Sequence, residues 1–256
     1  MFFNKSVGNL IPLRNENSLT GSQFIENNLN IKNNIRDQNI LNEFLIGNIP
    51  DFLRQFKVIN LTLQNDNLSY LVMSDYLSIG CDSDYVRMPM SPLTAKIIAD
   101  KYDCILPTKY MVDTIWENSI NKLQPKPWGP PFDHSMSDTY RYGIHNETIN
   151  KQLINKDKSQ LTSGHKKDVV INSNLLFVKN KVCIYGWIQP SGIPIQDENC
   201  SSHDQYYHDY SHGIRLIAKD MMLNNNLVNA YDILNHKHYY KFLTNQQPYN
   251  GQYIYT

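Results

Sequence analysis

Hydrophobic residues recur at helical spacing in several stretches of the chain, and these stretches predict helices. The clearest stretch follows Asp37, a good N-terminal cap, and it ends at Gly47, a residue that often terminates helices. Between them, Ile40 and Phe44 fall on one predicted face. Other predicted helices begin at residues that favour helix starts, namely Pro50, Ser91, Pro107 with Thr108, Thr139 and Asn229.

Alternating apolar and polar residues predict two groups of strands that flank these helices. The first group covers residues 57–89, where VINLTLQ alternates and NDN and CDSD are typical of turns, so a meander of three or four antiparallel strands is expected. The second group lies within residues 168–218 and contains DVVIN, KVCIYGWIQ and HGIRLIA. Because no regular strand–helix–strand order repeats, the pattern predicts an α+β fold, mainly antiparallel sheet with helices packed on it.

The domain organisation follows from where this periodicity fails. Residues 1–19 show no clear period and are expected to form a loose N-terminal arm, whereas residues 20–256 are expected to form a single compact α+β domain. A proline-rich, aperiodic stretch at residues 124–138 is a possible point of subdivision. Long loops in compact domains are usually functional, so this loop is expected to lie over or beside a pocket as a lid or rim.

Composition narrows the classes of partner. The chain has 24 Lys and Arg against 24 Asp and Glu, so it lacks the positive field of a nucleic-acid-binding protein. It has no apolar run long enough to span a membrane and no signal-peptide pattern, and we expect a soluble, cytoplasmic protein. Four scattered cysteines without a CxxC pair favour isolated free thiols over a zinc knuckle or a disulfide framework.

Two dense polar runs carry the candidate chemistry. The run SGHKKDVVI places His165 and Asp168 where a loop enters a predicted strand, and HDQYYHDYSHG contains His203, Asp209 and His212. Side chains at strand ends are held firmly yet reach solvent, which suits a general base. We predict that His165 and His212 share one pocket that His203 or Asp209 completes, with Asp168 orienting an imidazole. The alternative is that these histidines are solvated surface residues.

Neighbouring side chains are candidates for substrate binding. Lys166 and Lys167 would hold an anionic group of the substrate, or they are simply solvated. Tyr185 and Trp187, on either side of Gly186, would form a stacking wall for a ligand, or they belong to the core. The predicted substrate contacts are Lys166, Lys167, Tyr185, Trp187, Tyr210 and Ser211.

Two versions of the chemistry stay open. Histidines with a carboxylate are the ligands that catalytic zinc uses, so a divalent metal such as zinc held by His165, His203 and His212 is one version, although no HExxH spacing occurs. The metal-free version with covalent catalysis needs a nucleophile, and Cys81 after Gly80 at a predicted hairpin end is the candidate. An unreactive thiol is the simpler interpretation of Cys81.

Several segments resemble an uncharacterised family of proteins from bacteria and microbial eukaryotes. The segments are IGNIPDFLR, DYLSIGCDSDYVRMPM, LPTKYMVDTIW, SGHKKDVVI, VCIYGW and HDQYYHDYSHGIRLI, and the resemblance runs from about residue 20 to residue 218. His208 and Cys81 depart from the family pattern, which has serine in place of Cys81. The resemblance implies a shared polar pocket spread over two strand ends, and it implies no particular activity.

These observations lead to two hypotheses of function. The first is a hydrolase that cleaves an amide, ester or glycosidic bond in a pocket centred on His and Asp side chains. The second is a non-catalytic protein that binds carbohydrate or peptide, or a structural component of an assembly, through aromatic residues such as Tyr207 and Tyr210. Both predict a small-molecule, peptide or glycan ligand.

Overall fold

The computed structural model describes residues 7–128, 135–178, 180–249 and 255. The helices in these ranges are α1 (Gly21–Asn27), α2 (Asn33–Leu45), α3 (Pro92–Lys101), α4 (Lys109–Asn118), α5 (Thr139–Asn150) and α6 (Ala230–Asn235). Short 3-10 helices cover Val7–Leu10, Asp51–Arg54, Lys151–Leu153, Ser173–Leu176 and Tyr239–Phe242. None of the helices in the described ranges is long and apolar enough to cross a membrane.

Thirteen strands complete the described part of the chain. They are β1 (Lys57–Leu63), β2 (Asp66–Val72), β3 (Ser78–Gly80), β4 (Tyr85–Arg87), β5 (Cys104–Ile105), β6 (Asn121–Lys122), β7 (Thr162–Ser163), β8 (Lys167–Val169), β9 (Ile184–Ile188), β10 (Pro194–Asn199), β11 (His212–Gly213), β12 (Ile217–Leu223) and β13 (Asn226–Asn229).

The largest sheet joins the two strand groups that the sequence predicts. β2 pairs with β1 on one side and with β12 on the other, and β12 also pairs with β13 and β5, always antiparallel. In β1 the side chain of Ile59 is buried while its neighbours Val58 and Asn60 are exposed, as alternation requires. The main core cluster gathers residues from Ile11 to Tyr255. The predicted α+β fold with mainly antiparallel sheet is confirmed.

A second sheet, in the order β10-β9-β8-β11, brings the two polar runs together. β9 is antiparallel to both β8 and β10, but β8 and β11 are parallel, with His212 opposite Lys167 and Gly213 opposite Asp168. The expectation of purely antiparallel pairing in residues 168–218 is therefore wrong at this one pair. A two-stranded sheet of β6 and β7 is also parallel.

The expected single meander at residues 57–89 is also wrong. β1–β2 and β3–β4 are two separate antiparallel hairpins in different sheets. The chain between them is paired with a distant segment instead, since the amides of Met73 and Leu77 donate to the carbonyls of Leu216 and Ile214. Local alternation identified the strands but contained no information about these long-range partners.

Most predicted helix starts are confirmed by their caps. Ser91 caps α3, Thr108 caps α4 and Asn229 caps α6, each by accepting a backbone N–H in the first turn. Asp37 is an exception, because α2 begins at Asn33 and Asp37 lies inside it. Its carboxylate accepts hydrogen bonds from the Ser91 amide and the Thr94 hydroxyl, so it joins α2 to the start of α3.

The expected loose arm is wrong for the described residues 7–19. Ile11 is buried in the main core, and Arg14 donates a hydrogen bond of 2.8 Å to the Asn48 side chain. Thr20 then caps α1 through a reciprocal pair of hydrogen bonds with Gln23. Residues 1–6 lie outside the described part of the chain.

The expectation of four free thiols is corrected by one pair. Cys183 and Cys200 are disulfide-bonded, whereas Cys81 and Cys104 are free. The pairing of β9 with β10 places Asn199 opposite Ile184, which brings two cysteines 17 residues apart into contact. A spacing of this length has no recognisable motif, so the sequence pattern could not reveal it.

Gly213 allows the close contact between β8 and β11, and its substitution should be costly. A Cβ at this position would lie 2.6 Å from Tyr76 Cδ1 and 2.8 Å from Lys166 Cβ. We expect Gly213→Ala to lower the free energy of unfolding by about 1–3 kcal/mol through overpacking. Urea denaturation measures the change.

Gly143→Ala is the matched control, because Gly143 lies in α5 and its added Cβ would approach only the Ile25 side chain, at 3.4 Å. Removing a glycine from a helix interior should raise stability by about 0.5–1 kcal/mol. Equal losses in both variants would contradict the role assigned to Gly213.

Candidate functional site

The two histidines that the sequence singles out are both inside the protein. His165 is 0% exposed and His212 is 1% exposed, so the expectation of partly exposed side chains at strand ends is wrong. Gly164 precedes His165 with a φ of 96°, and a Cβ there would lie 2.5 Å from the Leu123 carbonyl oxygen. Only glycine fits this position, and it lets the chain turn into β8 with His165 pointing inward.

The nearest carboxylate to His165 is Asp75, which sequence reasoning missed. Asp75 Oδ1 lies 3.3 Å from His165 Nε2, a close polar contact that is not a well-formed hydrogen bond. Arg87 holds this carboxylate with hydrogen bonds of 2.7 Å and 3.1 Å to Oδ2, and the Tyr76 amide donates to Oδ1. Arg87 itself is fixed by hydrogen bonds to Asn146 of α5.

The charges of this group are set by burial and by these contacts. Burial alone would raise the pKa of Asp75, but Arg87 and His165 hold this pKa well below its usual range. Burial is the main cause that lowers the pKa of His165 to about 4. The cations Arg87 and Lys166 also lower this pKa, whereas the Asp75 carboxylate acts to raise it. At neutral pH His165 is therefore a neutral imidazole beside an ionised carboxylate, and its Nδ1 has no hydrogen-bond partner among the described residues.

A second pair, Asp209 and His212, lies at β11. Asp209 accepts hydrogen bonds from the Ser211 hydroxyl at 2.5 Å and the Tyr207 hydroxyl at 3.0 Å. The Tyr207 ring packs edge-on against His212, with centroids 5.7 Å apart, and stacks on His203 at 3.9 Å. The structure thus brings His203, Asp209 and His212 together around Tyr207.

The protonation of this second pair resembles that of the first. Burial raises the pKa of Asp209, but His212, Ser211 and Lys167 outweigh this effect and lower it. Burial also lowers the pKa of His212, although the Asp209 carboxylate acts to raise it. Both ring nitrogens of His212 lack a partner in the described ranges. His165 and His212 face different carboxylates, and a single substrate for both imidazoles stays a prediction.

Lys166 lies between the two pairs. Its Nζ donates a hydrogen bond of 2.5 Å to the Tyr210 carbonyl, and burial together with Arg87 lowers the pKa of Lys166 to about 7, while Asp209 and Asp75 oppose this. The Nζ of Lys167 lies 4.9 Å from the centre of the Trp187 ring, and its charge helps to lower the pKa of Asp209. Successive residues of a strand face opposite sides, which separates the two lysines.

Asp168 does not orient His165, contrary to the expectation. Its carboxylate accepts a hydrogen bond of 2.7 Å from the Tyr76 hydroxyl. Burial raises the pKa of Asp168 to about 7, although Arg215 and the Tyr76 hydroxyl act to lower it. This carboxyl is therefore partly protonated near neutral pH. Asp75 takes the place beside His165 that the sequence assigned to Asp168.

The expected aromatic wall does not form. Tyr185 and Trp187 are both buried, and they belong to different hydrophobic clusters. Gly186 and Trp187 both have positive φ, at 114° and 56°, which breaks the simple alternation of β9. Tyr185 donates to Asp113, and Trp187 Nε1 donates to the His165 carbonyl. Trp187 thus supports the backbone at His165.

Cys81 lies apart from both histidine pairs, in the turn between β3 and β4. Its Sγ is 3.3 Å from the Ser83 hydroxyl. Against the effect of burial, Ser83, the Asp84 backbone and Arg14 lower the pKa of Cys81, and no histidine contributes. The structure provides no base for Cys81 as a nucleophile among the described contacts.

The expected metal ligands do not form one group. Within the described ranges, no three His, Cys, Asp or Glu side chains are placed to hold a metal ion, and this includes His165, His203 and His212.

Two further histidines enter the site, of which His145 was not predicted and His208 was noted only as a departure from the family pattern. His145 of α5 is buried, and its ring centroid lies 5.0 Å from that of Tyr210. His208 Nδ1 is 3.0 Å from the Tyr142 hydroxyl, and its Nε2 is 3.0 Å from Asp37 Oδ1. His208 also lines a cleft of about 400 Å³ together with Asp37 and Tyr207.

The described ends of the predicted 124–138 loop lie against this region, while residues 129–134 are outside the described part. The Trp128 amide donates to the Tyr210 hydroxyl at 2.7 Å, and the Tyr210 amide donates to the Met136 carbonyl at 3.1 Å. Both ends therefore cover Tyr210, which is consistent with a rim beside the site.

One signal in the sequence could have identified the missed residues Asp75 and Arg87. Each is a charged residue inside an apolar run, in SYLVMSDYLSIG and YVRMPM respectively. Charged side chains are rarely buried unless they are paired, so two such residues in neighbouring apolar strands indicate a buried ion pair.

Comparisons of the chain with protein family models, with curated proteins and with solved structures find no match.

The buried, neutral state of His165 predicts a loss of stability in acid. Between its ordinary pKa of 6.5 and its native pKa of about 4, the unfolded chain binds a proton here and the native protein does not. The free energy of unfolding should therefore fall as pH falls through this window, by about 3 kcal/mol at most. Asp168 acts in the opposite direction between pH 3.8 and about pH 7, since there the native protein holds a proton on this carboxyl that the unfolded chain has lost. Its contribution to the free energy of unfolding therefore rises as the pH falls.

His165→Gln isolates this contribution, because it leaves Asp168 in place. We expect urea denaturation at several pH values between 4 and 6.5 to show a smaller acid-induced loss of stability in this variant than in the wild type. His236→Gln removes an exposed imidazole and should keep the wild-type pH dependence. Identical curves for His165→Gln and wild type would show that His165 is not held neutral.

Proposed function

We propose that the protein is a hydrolase in which Asp75 and His165 form the acid–base centre. A general base of this type must be neutral, held in one orientation and open at one ring nitrogen. The neutral state of His165, the carboxylate of Asp75 beside Nε2 and the unpartnered Nδ1 in the described structure support each requirement. The bond cleaved is an amide, ester or glycosidic bond.

The observation that carries this proposal is the unpartnered Nδ1 of a fully buried imidazole. Buried polar atoms are normally hydrogen-bonded, and leaving one unpaired costs about 1–3 kcal/mol. In the proposed reaction Nδ1 accepts a proton from an attacking water molecule. Asp75, held by Arg87, stabilises the imidazolium that forms. The imidazolium then returns the proton to the leaving group as its bond to the substrate breaks.

The second pair supports a role next to this centre. Tyr207 contacts His212 and also lines the cleft of about 400 Å³, so the cleft leads towards the Asp209–His212 pair. Side chains with hydrogen-bonding groups line the cleft, among them Asn33, Asp37 and His208, and such groups suit a peptide or a glycan. We propose that Asp209 and His212 bind or protonate the part of the substrate that enters from this side.

Other hypotheses are separate from this one. A non-catalytic binding or assembly protein is less well supported, since Tyr185, Trp187 and Tyr210 are buried and, of the predicted aromatic contacts, Tyr207 alone lines the described cleft. Metal assistance is a separate hypothesis that metal analysis of the purified protein tests. Membership of the resembled family and a cytoplasmic location also stay predictions.

The test of the proposed hydrolase is His165→Gln, a change from one neutral side chain to another of similar size. We expect the wild type to cleave at least one member of a panel of p-nitrophenyl esters, p-nitrophenyl glycosides and fluorescein-labelled casein. In His165→Gln, kcat/KM for that substrate should fall by about a hundredfold or more, as losses of general acid–base groups do. Asp75→Asn should also lower kcat, because an amide cannot stabilise the imidazolium.

His236→Gln is the matched control and should keep wild-type activity, because His236 is exposed at the end of α6. Far-ultraviolet circular dichroism establishes that each variant is folded. A folded His165→Gln variant with wild-type turnover would assign the base to another residue. A wild type that binds a member of the panel in calorimetry without cleaving it would favour the non-catalytic binding protein.

A further inference from the structure

Lys166 is a buried amine whose protonated form has no contacting counter-charge among the described residues, and burial lowers its pKa to about 7. Its side chain is 1% exposed, and its one hydrogen bond is to the neutral carbonyl of Tyr210. An ammonium group has three N–H donors, so two of them are left without an acceptor in the described structure. Buried charges are normally paired, because removing an ion from water costs several kcal/mol.

The nearby carboxylates are already engaged by other groups. Asp75 accepts hydrogen bonds from Arg87 and the Tyr76 amide, and it faces His165. Asp209 accepts from Ser211 through one oxygen and from Tyr207 through the other. Since Arg87 balances Asp75 and Lys167 faces Asp209, a protonated Lys166 has no carboxylate of its own in this part of the described structure.

His145 adds a polar group to the same place. The charges of Lys166, His165 and Arg87 all lower the pKa of His145, after the larger effect of burial. The His145 ring packs edge-on against Tyr210, whose backbone carbonyl accepts the hydrogen bond from Lys166. The Lys126 backbone lies near its ring, but neither ring nitrogen makes a well-formed hydrogen bond in the described part of the chain. A neutral imidazole still carries one N–H donor, which an anion can accept.

We propose that Lys166 and His145 form a binding site for a small oxyanion group, a carboxylate or a phosphate, carried by the substrate. Such a group would accept the free N–H donors of Lys166 and supply the missing negative charge, and charge-assisted hydrogen bonds of this kind are the strong ones. The site adjoins the Asp75–His165 pair through Lys166, which follows His165 directly in the chain. The inference rests on the proposed function only in assigning the oxyanion to a substrate.

The experiment measures anion binding without any assay of activity. Sodium phosphate and sodium acetate are titrated separately into the full-length protein by calorimetry, in chloride buffers of equal ionic strength. We expect saturable binding of at least one of the two anions to the wild type. Saturation by acetate alone identifies a carboxylate site, and saturation by phosphate alone identifies a phosphate site.

Lys166→Met removes the charge and keeps an apolar side chain of similar length, and it should weaken anion binding at least tenfold. Lys101→Met is the charge-matched control, because Lys101 is exposed at the end of α3, and it should bind as the wild type does. His145→Gln provides a second variant in case Lys166→Met does not fold, and it should weaken binding by a smaller factor.

The inference is overturned if neither anion saturates, or if folded Lys166→Met and His145→Gln both bind as tightly as wild type. An equal, non-saturating salt effect in every variant also overturns it. These outcomes are distinguishable from failure of the proposed hydrolase. Anion binding that depends on Lys166 without hydrolysis would leave the oxyanion site in place, whereas hydrolysis that depends on His165 without anion binding would remove only the oxyanion site.

Discussion

The ion pair between Asp75 and Arg87 is the contact on which the candidate site most depends. Both side chains are almost completely buried, and such a pair is stable only when its other donors and acceptors are also matched. Arg87 meets this requirement through Asn146 and Asn150, so β4 is fastened to α5. Asp75 meets it through the Tyr76 amide, and His165 Nε2 lies 3.3 Å from the same oxygen. Loss of either partner would leave an uncompensated charge in the core, which typically costs about 3–5 kcal/mol. The orientation of His165 and the packing of α5 against the β3–β4 hairpin are thus consequences of one pair.

The three buried aspartates near the site are held in different states by their surroundings. Asp75 faces Arg87, and Asp209 faces Lys167 and the Ser211 hydroxyl, so the pKa of each is lowered. Asp168 is bonded to Tyr76, and burial outweighs Arg215 in raising the pKa of Asp168. Environments that push the pKa values of similar groups apart are typical of sites that hold proton donors and acceptors side by side. The parallel pairing of β8 with β11 brings these groups within one small region, since it aligns Lys167 with His212 and Asp168 with Gly213.

The sequence predicted what is determined locally and missed what depends on distant partners. The starts of α3, α4 and α6 follow from Ser91, Thr108 and Asn229, because a cap acts on its own first turn. The polar runs around His165 and His212 were recognisable from residue type alone. The partner of His165 was not, since Asp75 lies 90 positions earlier and meets it only after β2 and β8 have taken their places in different sheets. The Cys183–Cys200 disulfide and the engagement of Asp37 with the start of α3 were missed for the same reason.

Buried imidazoles that are open at both nitrogens favour function over imperfect packing. Arg36 and Arg215 each leave one buried nitrogen without a partner in the described structure, but their other nitrogens are hydrogen-bonded. In His145, His165 and His212, by contrast, neither ring nitrogen makes a well-formed hydrogen bond within the described ranges. Single unpaired atoms also occur elsewhere in the described core, for example the Tyr70 hydroxyl and Trp116 Nε1. Two of the three open imidazoles, His145 and His165, interact electrostatically with Lys166. A buried imidazole can leave both nitrogens open at little cost only if water or a ligand completes them.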